Sequence, residues 1–264
     1  MAQQPIRFDD GEAYERGMAP WSRLAGQVFL DWLALPSGLR WIDVGCGNGV
    51  FTELLVHRCA PAETQGIDPS EAQLAFARTR PAMSGATFLQ GNAMALPFDN
   101  DRFGAAVMAL VIFFVPDPAK GVAEMTRVVC PGGTVAAYVW DILGGGSPSS
   151  PVQAELLTMG VPQLLPPSAD ASRMAALRVL WTGAGLEAVE TREILVNRTF
   201  ADFEDFWRSS TANPSIGQSI AAMAAGDVEQ LKVRLRVRLP ADASGHITYQ
   251  ARANAIKGRV PLSP

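Results

Sequence analysis

The segment Trp41–Gly49, with the sequence WIDVGCGNG, constrains the fold of this 264-residue chain more than any other stretch. Its short apolar run ends in glycines at positions 45, 47 and 49, and the sequence VFTELLVHRC that follows is typical of a helix. Glycines at this spacing let the backbone turn sharply from strand to helix and approach a ligand closely. The open amide groups at the start of the helix favour anionic groups. The pattern therefore predicts a buried strand, a ligand-binding loop and a helix, in that order.

Strand and helix patterns alternate with short loops from residue 41 to residue 141. Further apolar strands are expected at TQGID, ATFLQGN, FGAAVMALVI and TVAAYVWD. Helices are expected at SEAQLAFARTR and PAKGVAEMTRVV, the second ending at Pro131-Gly132-Gly133. This alternation is typical of a parallel sheet with helices on both faces.

The rhythm changes on either side of this core. Residues 12–35 have helical spacing that Pro20 is expected to interrupt. Beyond Asp141, GGGSPSSP is typical of a flexible loop, and its glycines are a candidate hinge. A helix and a strand are expected within 173–196. Helices within 200–239 then precede a last strand at 246–257.

Composition argues against several functional classes. The formal net charge is −4 and 18% of residues are charged, so the chain has no general attraction to nucleic acid or anionic membranes. Its three cysteines are widely spaced without a CxxC pair, which argues against disulfides or a metal site and favours a reducing cytosol. The longest apolar stretch, residues 105–115, is too short to span a bilayer. We expect a cytoplasmic protein with a small-molecule partner.

Two carboxylates accompany the glycine loop. Asp43 precedes the first glycine by two residues, where dinucleotide-binding enzymes usually place an apolar residue. Either it orients the loop through backbone hydrogen bonds or it contacts the ligand. Asp68 ends the second strand, where a carboxylate can accept hydrogen bonds from both hydroxyls of a ribose.

Together, WIDVGCGNG and GIDPS resemble motif I and the acidic residue that follows it in class I S-adenosylmethionine-dependent methyltransferases. GNAMALPF, DRFGAAVMALVIFFVPDP and EMTRVVCPGGTVAAYVWD follow in order and are similar to the subgroup of ubiquinone and menaquinone biosynthesis methyltransferases. The resemblance covers residues 41–141. It implies a doubly wound α/β fold with a mostly parallel seven-stranded sheet, in which 186–196 and 246–257 form an antiparallel edge pair. S-adenosylmethionine would lie over the carboxyl ends of strands one, two and four.

The resemblance also implies residues that hold this cofactor. The glycine loop would bind its methionine part, Asp68 its ribose, and Asn92 its adenine. Tyr14, Trp21 and Arg23 are expected to cover the methionine end of this cofactor, with Arg23 paired to its carboxylate; a plain amphipathic helix is the alternative. The expected cofactor-binding residues are Tyr14, Arg23, Gly45, Cys46, Gly47, Asp68, Pro69, Asn92, Ala93 and Leu110.

Residues that contact the substrate carry no diagnostic motif. Trp140, at the end of the fifth strand, and Trp21 are candidates for the substrate pocket, with ordinary core packing as the alternative. Phe113-Phe114 stand where His-type residues are common in the family, so no catalytic base is identified. An apolar lid or plain packing on the sheet is expected of Trp21, Met159, Leu164, Leu165, Phe203, Phe206, Trp207 and Met223.

The predicted function is S-adenosylmethionine-dependent methyl transfer to a small, apolar or aromatic metabolite by direct displacement. A non-catalytic S-adenosylmethionine-binding protein is the alternative. An NAD-dependent oxidoreductase is disfavoured by the glycine spacing. A single domain is expected, with a helical cover at 1–40, a cofactor-binding core at 41–141, lid insertions at 142–172 and 197–244, and edge strands and a helix at 173–196 and 245–264.

Overall fold

The computed structural model describes residues 11–81 and 85–262, so residues 1–10 of the predicted cover and 263–264 of the last predicted segment lie outside it. Helices α1 (Gly11–Gly17) and α2 (Ala19–Leu33) precede the sheet. Pro20 lies in the first turn of α2, where its missing N–H costs no helical hydrogen bond. The predicted division of this helical region is confirmed.

The core alternates strands and helices as predicted. Ser70 caps α4 by accepting a hydrogen bond from the backbone N–H of Gln73. Strand β4 is buried along most of its length, as expected of a central parallel strand. The elements are β1 (Arg40–Val44), α3 (Val50–Cys59), β2 (Glu63–Asp68), α4 (Glu71–Arg78), β3 (Ala86–Gln90), β4 (Phe103–Ala109), a 3-10 turn (Ile112–Phe114), α5 (Pro118–Val128) and β5 (Val129–Trp140).

The second half of the chain adds two long strands and the covering helices. Its elements are α6 (Ser150–Thr158), a 3-10 turn (Ala169–Ser172), α7 (Met174–Gly183), β6 (Glu187–Phe200), α8 (Phe203–Thr211), α9 (Pro214–Ala221), α10 (Ala225–Arg238) and β7 (Ile247–Arg259). Because β6 continues to Phe200, residues 197–200 belong to the sheet rather than to the expected lid.

The seven strands form one sheet in the order β3-β2-β1-β4-β5-β7-β6. The first five are parallel, whereas β7 is antiparallel to both β5 and β6. The predicted fold class, including the antiparallel edge pair, is confirmed. Over the described ranges, no helix is both long and apolar enough to cross a membrane.

The prediction that Pro131-Gly132-Gly133 ends α5 is wrong. The helix ends at Val128, and the tripeptide lies within β5. The register with β4 shifts there, because Val129 pairs with Phe103 and Thr134 with Ala105. Hydrogen bonds from Gly132 to Val260 and from Val260 to Gly133 satisfy the irregular backbone.

The glycine-rich loop after β5 is tied to the sheet. The N–H of Gly144 donates to Oδ1 of Asp141 at 3.0 Å, and the N–H of Arg252 in β7 donates to the carbonyl of Gly146 at 2.7 Å. The Arg252 guanidinium also bonds Asp141 at 2.6 Å. These bonds tie the loop to β7, and a hinge at its glycines stays a prediction.

Candidate functional site: two adjoining cavities

A cavity of about 400 Å³, called cavity 1, opens where β1, β2 and β4 end. The carboxyl ends of parallel strands meet at one edge of a sheet, which is where ligands bind in such folds. Apart from Arg23, every residue predicted to bind cofactor lines this cavity: Tyr14, Gly45, Cys46, Gly47, Asp68, Pro69, Asn92, Ala93 and Leu110. Their contacts with a cofactor remain predictions.

The glycines of the loop are required for different reasons. Gly45 has φ +80°, and a Cβ there would lie 2.4 Å from a methyl carbon of Val111. Gly47 has φ +52°, but a Cβ there would meet only the Gln73 side chain, at 4.0 Å. Gly45 therefore permits close packing, whereas Gly47 mainly permits a left-handed backbone on the cavity wall.

Asp68 organises the loops around it. Its Oδ2 accepts the N–H of Gly47 at 2.9 Å, and its Oδ1 accepts the N–H of Ser70 at 2.8 Å. Burial raises the pKa of this carboxyl, and the two backbone hydrogen bonds partly oppose that rise. A carboxylate offers about four lone-pair positions, so both oxygens keep capacity for further donors. Sequence reasoning placed Asp68 at the cavity but missed its bond to the glycine loop.

Asp43 is fully buried at the wall of cavity 1. Thr52 in α3 donates a hydrogen bond to its Oδ2 at 2.6 Å, while Oδ1 has no partner among the residues described. Burial raises the pKa of Asp43 from 3.8 to about 7; the Thr52 hydrogen bond opposes the rise and the charge of Asp68 adds to it. A buried oxygen without a hydrogen-bond donor is energetically costly, so a ligand that donates a hydrogen bond to Asp43 Oδ1 would be favoured here.

Asn92 forms a local turn at the edge of cavity 1. Its side-chain carbonyl accepts the N–H of Met94 at 2.9 Å, and its backbone carbonyl accepts the N–H of Ala95 at 3.0 Å. The carbonyl oxygen expected to meet an adenine therefore already accepts one hydrogen bond.

Arg23 is held away from both cavities described here, contrary to expectation. Its Nη2 lies 2.5 Å from Glu15 in α1 and 3.8 Å from Glu53 in α3. Arg80, which sequence reasoning missed, completes the cluster: it bonds Glu15, lies 2.8 Å from Glu53, and donates to the carbonyl of Asn48 at 2.6 Å. Burial alone would raise the pKa of Glu15, but hydrogen bonds from Arg23 and Arg80 outweigh burial and lower it. The cluster fastens α1 to the glycine loop.

A second, smaller cavity of about 90 Å³, called cavity 2, adjoins the first. Tyr14, Leu110 and Phe114 line both cavities and form their common wall. The other lining residues come from the 3-10 turn after β4, the end of β5, and the segments before β1 and after β5: Met18, Phe113, Trp140, Ile142, Ser147, Pro148, Ser149, Gln153, Gln163, Leu164, Pro166, Asn213 and Ser215.

The two tryptophans predicted for the substrate pocket have different positions. Trp140 lines cavity 2. Trp21 is 2% exposed, lines neither cavity, and packs edge-on against Trp140 with ring centroids 6.5 Å apart. Trp21 lies on the buried face of α2, so it supports Trp140 from behind rather than lining the pocket.

Most of the expected lid residues pack within the protein instead. Among them only Leu164 lines cavity 1 or cavity 2, and it lines cavity 2. Phe206 packs edge-on against Phe200 of β6, with ring centroids 5.4 Å apart. Trp207 stacks on Phe203, and Leu165 is 41% exposed. Plain packing on the sheet therefore accounts for α8 better than a closing lid.

Cavity 2 has few charges. Tyr14 is the ionisable residue in its described lining. The Tyr14 hydroxyl is 2.9 Å from the Ser22 hydroxyl, and burial raises its pKa although that hydrogen bond opposes the rise. Within residues 11–81 and 85–262, no group of His, Cys, Asp and Glu is arranged to hold a metal ion.

Comparison with known proteins supports the resemblance seen in the sequence. Residues 42–137 match the family model of a methyltransferase domain. Over 95 residues the chain is 41% identical to 2-methyl-6-phytyl-1,4-hydroquinone methyltransferase 2, chloroplastic, of Oryza sativa subsp. japonica; this covers 36% of the chain and 27% of the relative. It is 36% identical over 115 residues to 2-phytyl-1,4-naphtoquinone methyltransferase of Thermosynechococcus vestitus, covering 42% of the chain and 50% of the relative.

The chain spans half or less of the length of each of these two relatives. The fold extends further. Phosphoethanolamine N-methyltransferase 2 of Haemonchus contortus, solved with phosphomonomethylethanolamine and S-adenosylhomocysteine, superimposes with a TM-score of 0.57 at 16% identity. That superposition covers 97% of this chain and 58% of the other. The predicted likeness to class I methyltransferases is confirmed.

Proposed function

We propose that this chain, whose residues 42–137 match the family model of a methyltransferase domain, works as one domain that transfers a methyl group from S-adenosylmethionine to a small aromatic metabolite. Cavity 1 would hold the methyl donor and cavity 2 the acceptor. The observation that carries the proposal is the unpartnered Oδ1 of Asp43 beside the glycine loop and Asp68.

The residues of cavity 1 fit this cofactor chemically. S-adenosylmethionine has a cationic amino group, a ribose with two hydroxyl donors, and a flat adenine. Asp43 offers a buried carboxyl oxygen that lacks a hydrogen-bond partner, and Asp68 retains lone pairs for hydroxyl groups. Residues Pro69 and Leu110 give the apolar surface that an adenine ring needs.

When bound, the cofactor supplies a methyl group activated by a positively charged sulfur. The acceptor atom would supply the electron pair for the new bond to that methyl carbon. The electrons of the broken carbon–sulfur bond would stay on sulfur, so that S-adenosylhomocysteine would remain. A proton carried by the acceptor would pass to solvent.

The common wall of the cavities governs this transfer. Tyr14, Leu110 and Phe114 border both spaces, so donor and acceptor would meet beside them. Aligning the two reactants and excluding water can contribute as much as roughly 7–11 kcal/mol. Alignment suffices if the acceptor is itself electron-rich, and no strong base is then required.

The acceptor class follows from the lining of cavity 2 and from the relatives. A cavity lined largely by aromatic, aliphatic and uncharged polar residues suits a neutral ring better than a charged metabolite. The named relatives methylate a phytyl hydroquinone and a phytyl naphthoquinone. We therefore propose a hydroquinone-like acceptor.

The test combines binding with turnover. Calorimetry should give micromolar affinity for S-adenosylmethionine and S-adenosylhomocysteine, about −8 kcal/mol, and no comparable binding of NADH. Methyl-donor consumption should then be measured with pooled hydroquinones and phenols, RNA, and peptides. Tight binding of NADH alone would refute the proposal. Cofactor binding without turnover of any pool would favour a non-catalytic binding protein, and consumption only with RNA or peptide would refute the small-molecule acceptor.

A further inference from the structure

Among the described residues that line cavity 2, one buried side-chain polar atom has no hydrogen-bond partner. Asn213 donates to the Ser149 hydroxyl at 3.1 Å and accepts from the backbone N–H and the hydroxyl of Ser215 at 3.1 and 2.8 Å. The N–H of Ser149 bonds the Ser147 hydroxyl at 3.1 Å. In the described lining, the indole Nε1–H of Trp140 is the buried side-chain group without a partner.

Trp140 is firmly placed at this wall. It is the last residue of β5, is paired with Ala253 of β7, and is 3% exposed. Trp21 packs edge-on against its ring. A fixed ring loses little conformational entropy when it binds a ligand, so a hydrogen bond from it would be pre-organised.

Two other buried tryptophans show what is special about this one. Trp181 is fully buried and its Nε1–H donates to the carbonyl of Val135 at 2.9 Å. Trp41 is fully buried with an unpartnered Nε1–H, but it lines neither cavity 1 nor cavity 2. The fold thus tolerates an unpaired indole in its core, and of these two unpaired tryptophans Trp140 is the one that lines a cavity.

We propose that the indole N–H of Trp140 donates a hydrogen bond to an oxygen on the acceptor ring, so that cavity 2 selects oxygen-bearing aromatic groups such as phenols and hydroquinones. This inference rests on the proposed function. Trp140 is a positioning residue, because it would orient the ring toward the wall of Tyr14, Leu110 and Phe114 without taking part in bond making. Because the indole N–H has no formal charge, it can donate to a neutral hydroxyl, a carbonyl or a phenolate oxygen.

The experiment compares phenol with benzene, two probes that differ by the oxygen alone. Binding is followed by NMR on protein labelled with ¹⁵N-tryptophan and saturated with S-adenosylhomocysteine, and the Trp140 indole signal is assigned from its loss in Trp140→Phe. Phenol should shift this signal saturably. In Trp140→Phe, phenol should bind roughly 3- to 10-fold more weakly, which is the range for one neutral hydrogen bond, while benzene binding stays the same.

Trp41→Phe is the matched control, because it removes an equally buried and unpartnered indole outside both cavities. It should leave the affinities of both probes unchanged. The inference fails if Trp140→Phe weakens phenol and benzene equally, if it weakens neither, or if the native protein binds neither probe. Calorimetry with S-adenosylhomocysteine on the same samples separates the two claims: absence of that binding refutes the proposed function, whereas its presence without oxygen selectivity refutes only the role of Trp140.

Discussion

Cavity 1 and cavity 2 touch at Tyr14, Leu110 and Phe114, but the chain builds them in different ways. Cavity 1 is formed largely by loops that follow consecutive strands, where glycines and acidic residues stand at fixed places. Cavity 2 collects side chains from segments as distant as Met18 and Ser215. The first is therefore a product of local backbone geometry, and the second of tertiary packing.

The cavities also differ in which buried polar atom of their described lining has no hydrogen-bond partner. In cavity 1 the unpartnered buried group of the described lining is the acceptor Oδ1 of Asp43, and in cavity 2 it is the donor Nε1–H of Trp140. A cationic amino group suits the first, and a neutral oxygen suits the second. The contrast shows how adjoining cavities can be proposed for different ligands, according to whether the unpartnered buried group in each lining is a hydrogen-bond acceptor or a donor.

The largest expected effect is that of Asp43 on the pH dependence of the free energy of unfolding. Its pKa is about 7 in the folded chain against 3.8 for the ordinary group, so between these values the native state binds a proton that the unfolded state does not. The free energy of unfolding should fall as pH rises from about 4 to 7, by as much as roughly 4 kcal/mol, and this contribution stays lost above pH 7. Denaturant unfolding across this range checks it. Asp43→Asn should lack this pH dependence of stability. An equal slope in both proteins would contradict the claim that the raised pKa of Asp43 causes it.

Alanine substitutions at Gly45 and Gly47 distinguish the cost of a steric clash from the cost of a positive φ in the loop of cavity 1. Gly45→Ala places a methyl group against Val111 at a positive φ, so it should destabilise the fold by roughly 2–4 kcal/mol. Gly47→Ala is the matched control: it has a positive φ but open space, and should cost only about 1 kcal/mol. Urea unfolding compares them. Equal losses would mean that the contact with Val111 does not limit the loop.

Asp68 should matter more for binding than for the fold alone. Asp68→Ala removes the acceptor for the N–H groups of Gly47 and Ser70 and the lone pairs left for a ribose. Affinity for S-adenosylhomocysteine should fall by roughly 2–4 kcal/mol in calorimetry. Asp68→Asn keeps one oxygen and should lose less. Unchanged affinity in Asp68→Ala would remove this residue from the cofactor site.

Substitution of Ser149 should give the smallest effect, a modest loss of stability without a loss of cofactor affinity. Ser149→Ala removes the acceptor for the Asn213 amide, so the free energy of unfolding should drop by about 1 kcal/mol. Affinity for S-adenosylhomocysteine should not change, because Ser149 lines cavity 2 but not cavity 1. A clear loss of that affinity would show that the cavities are not separate in function.

Sequence reasoning succeeded where local patterns decide the structure. Glycine spacing and apolar strands placed the core and the loops of cavity 1, because each follows from nearby residues. It failed at Pro131-Gly132-Gly133, since a tripeptide that usually stops a helix here fits a bulge between β4 and β5. Helix α9 was not identified separately, because PSIGQSIA has few strong helix-forming residues.

Long side chains and helix faces were the other source of error. Arg23 was expected to reach a ligand, but it pairs with Glu15 and Glu53 and lines neither cavity 1 nor cavity 2. Nothing local to Arg80 predicts that it bridges α1, α3 and the glycine loop, because its partners are distant in sequence. Trp21 and Trp140 likewise could not be ranked until their packing was known.

A crystal structure of the chain grown with S-adenosylhomocysteine tests the central claim most directly. The account predicts the ligand in cavity 1, with its amino group within hydrogen-bonding distance of Asp43 Oδ1 and its ribose hydroxyls on Asp68. Cavity 2 should stay open beside the sulfur. A ligand bound elsewhere, or cavity 1 left empty at saturating concentrations, would contradict the account.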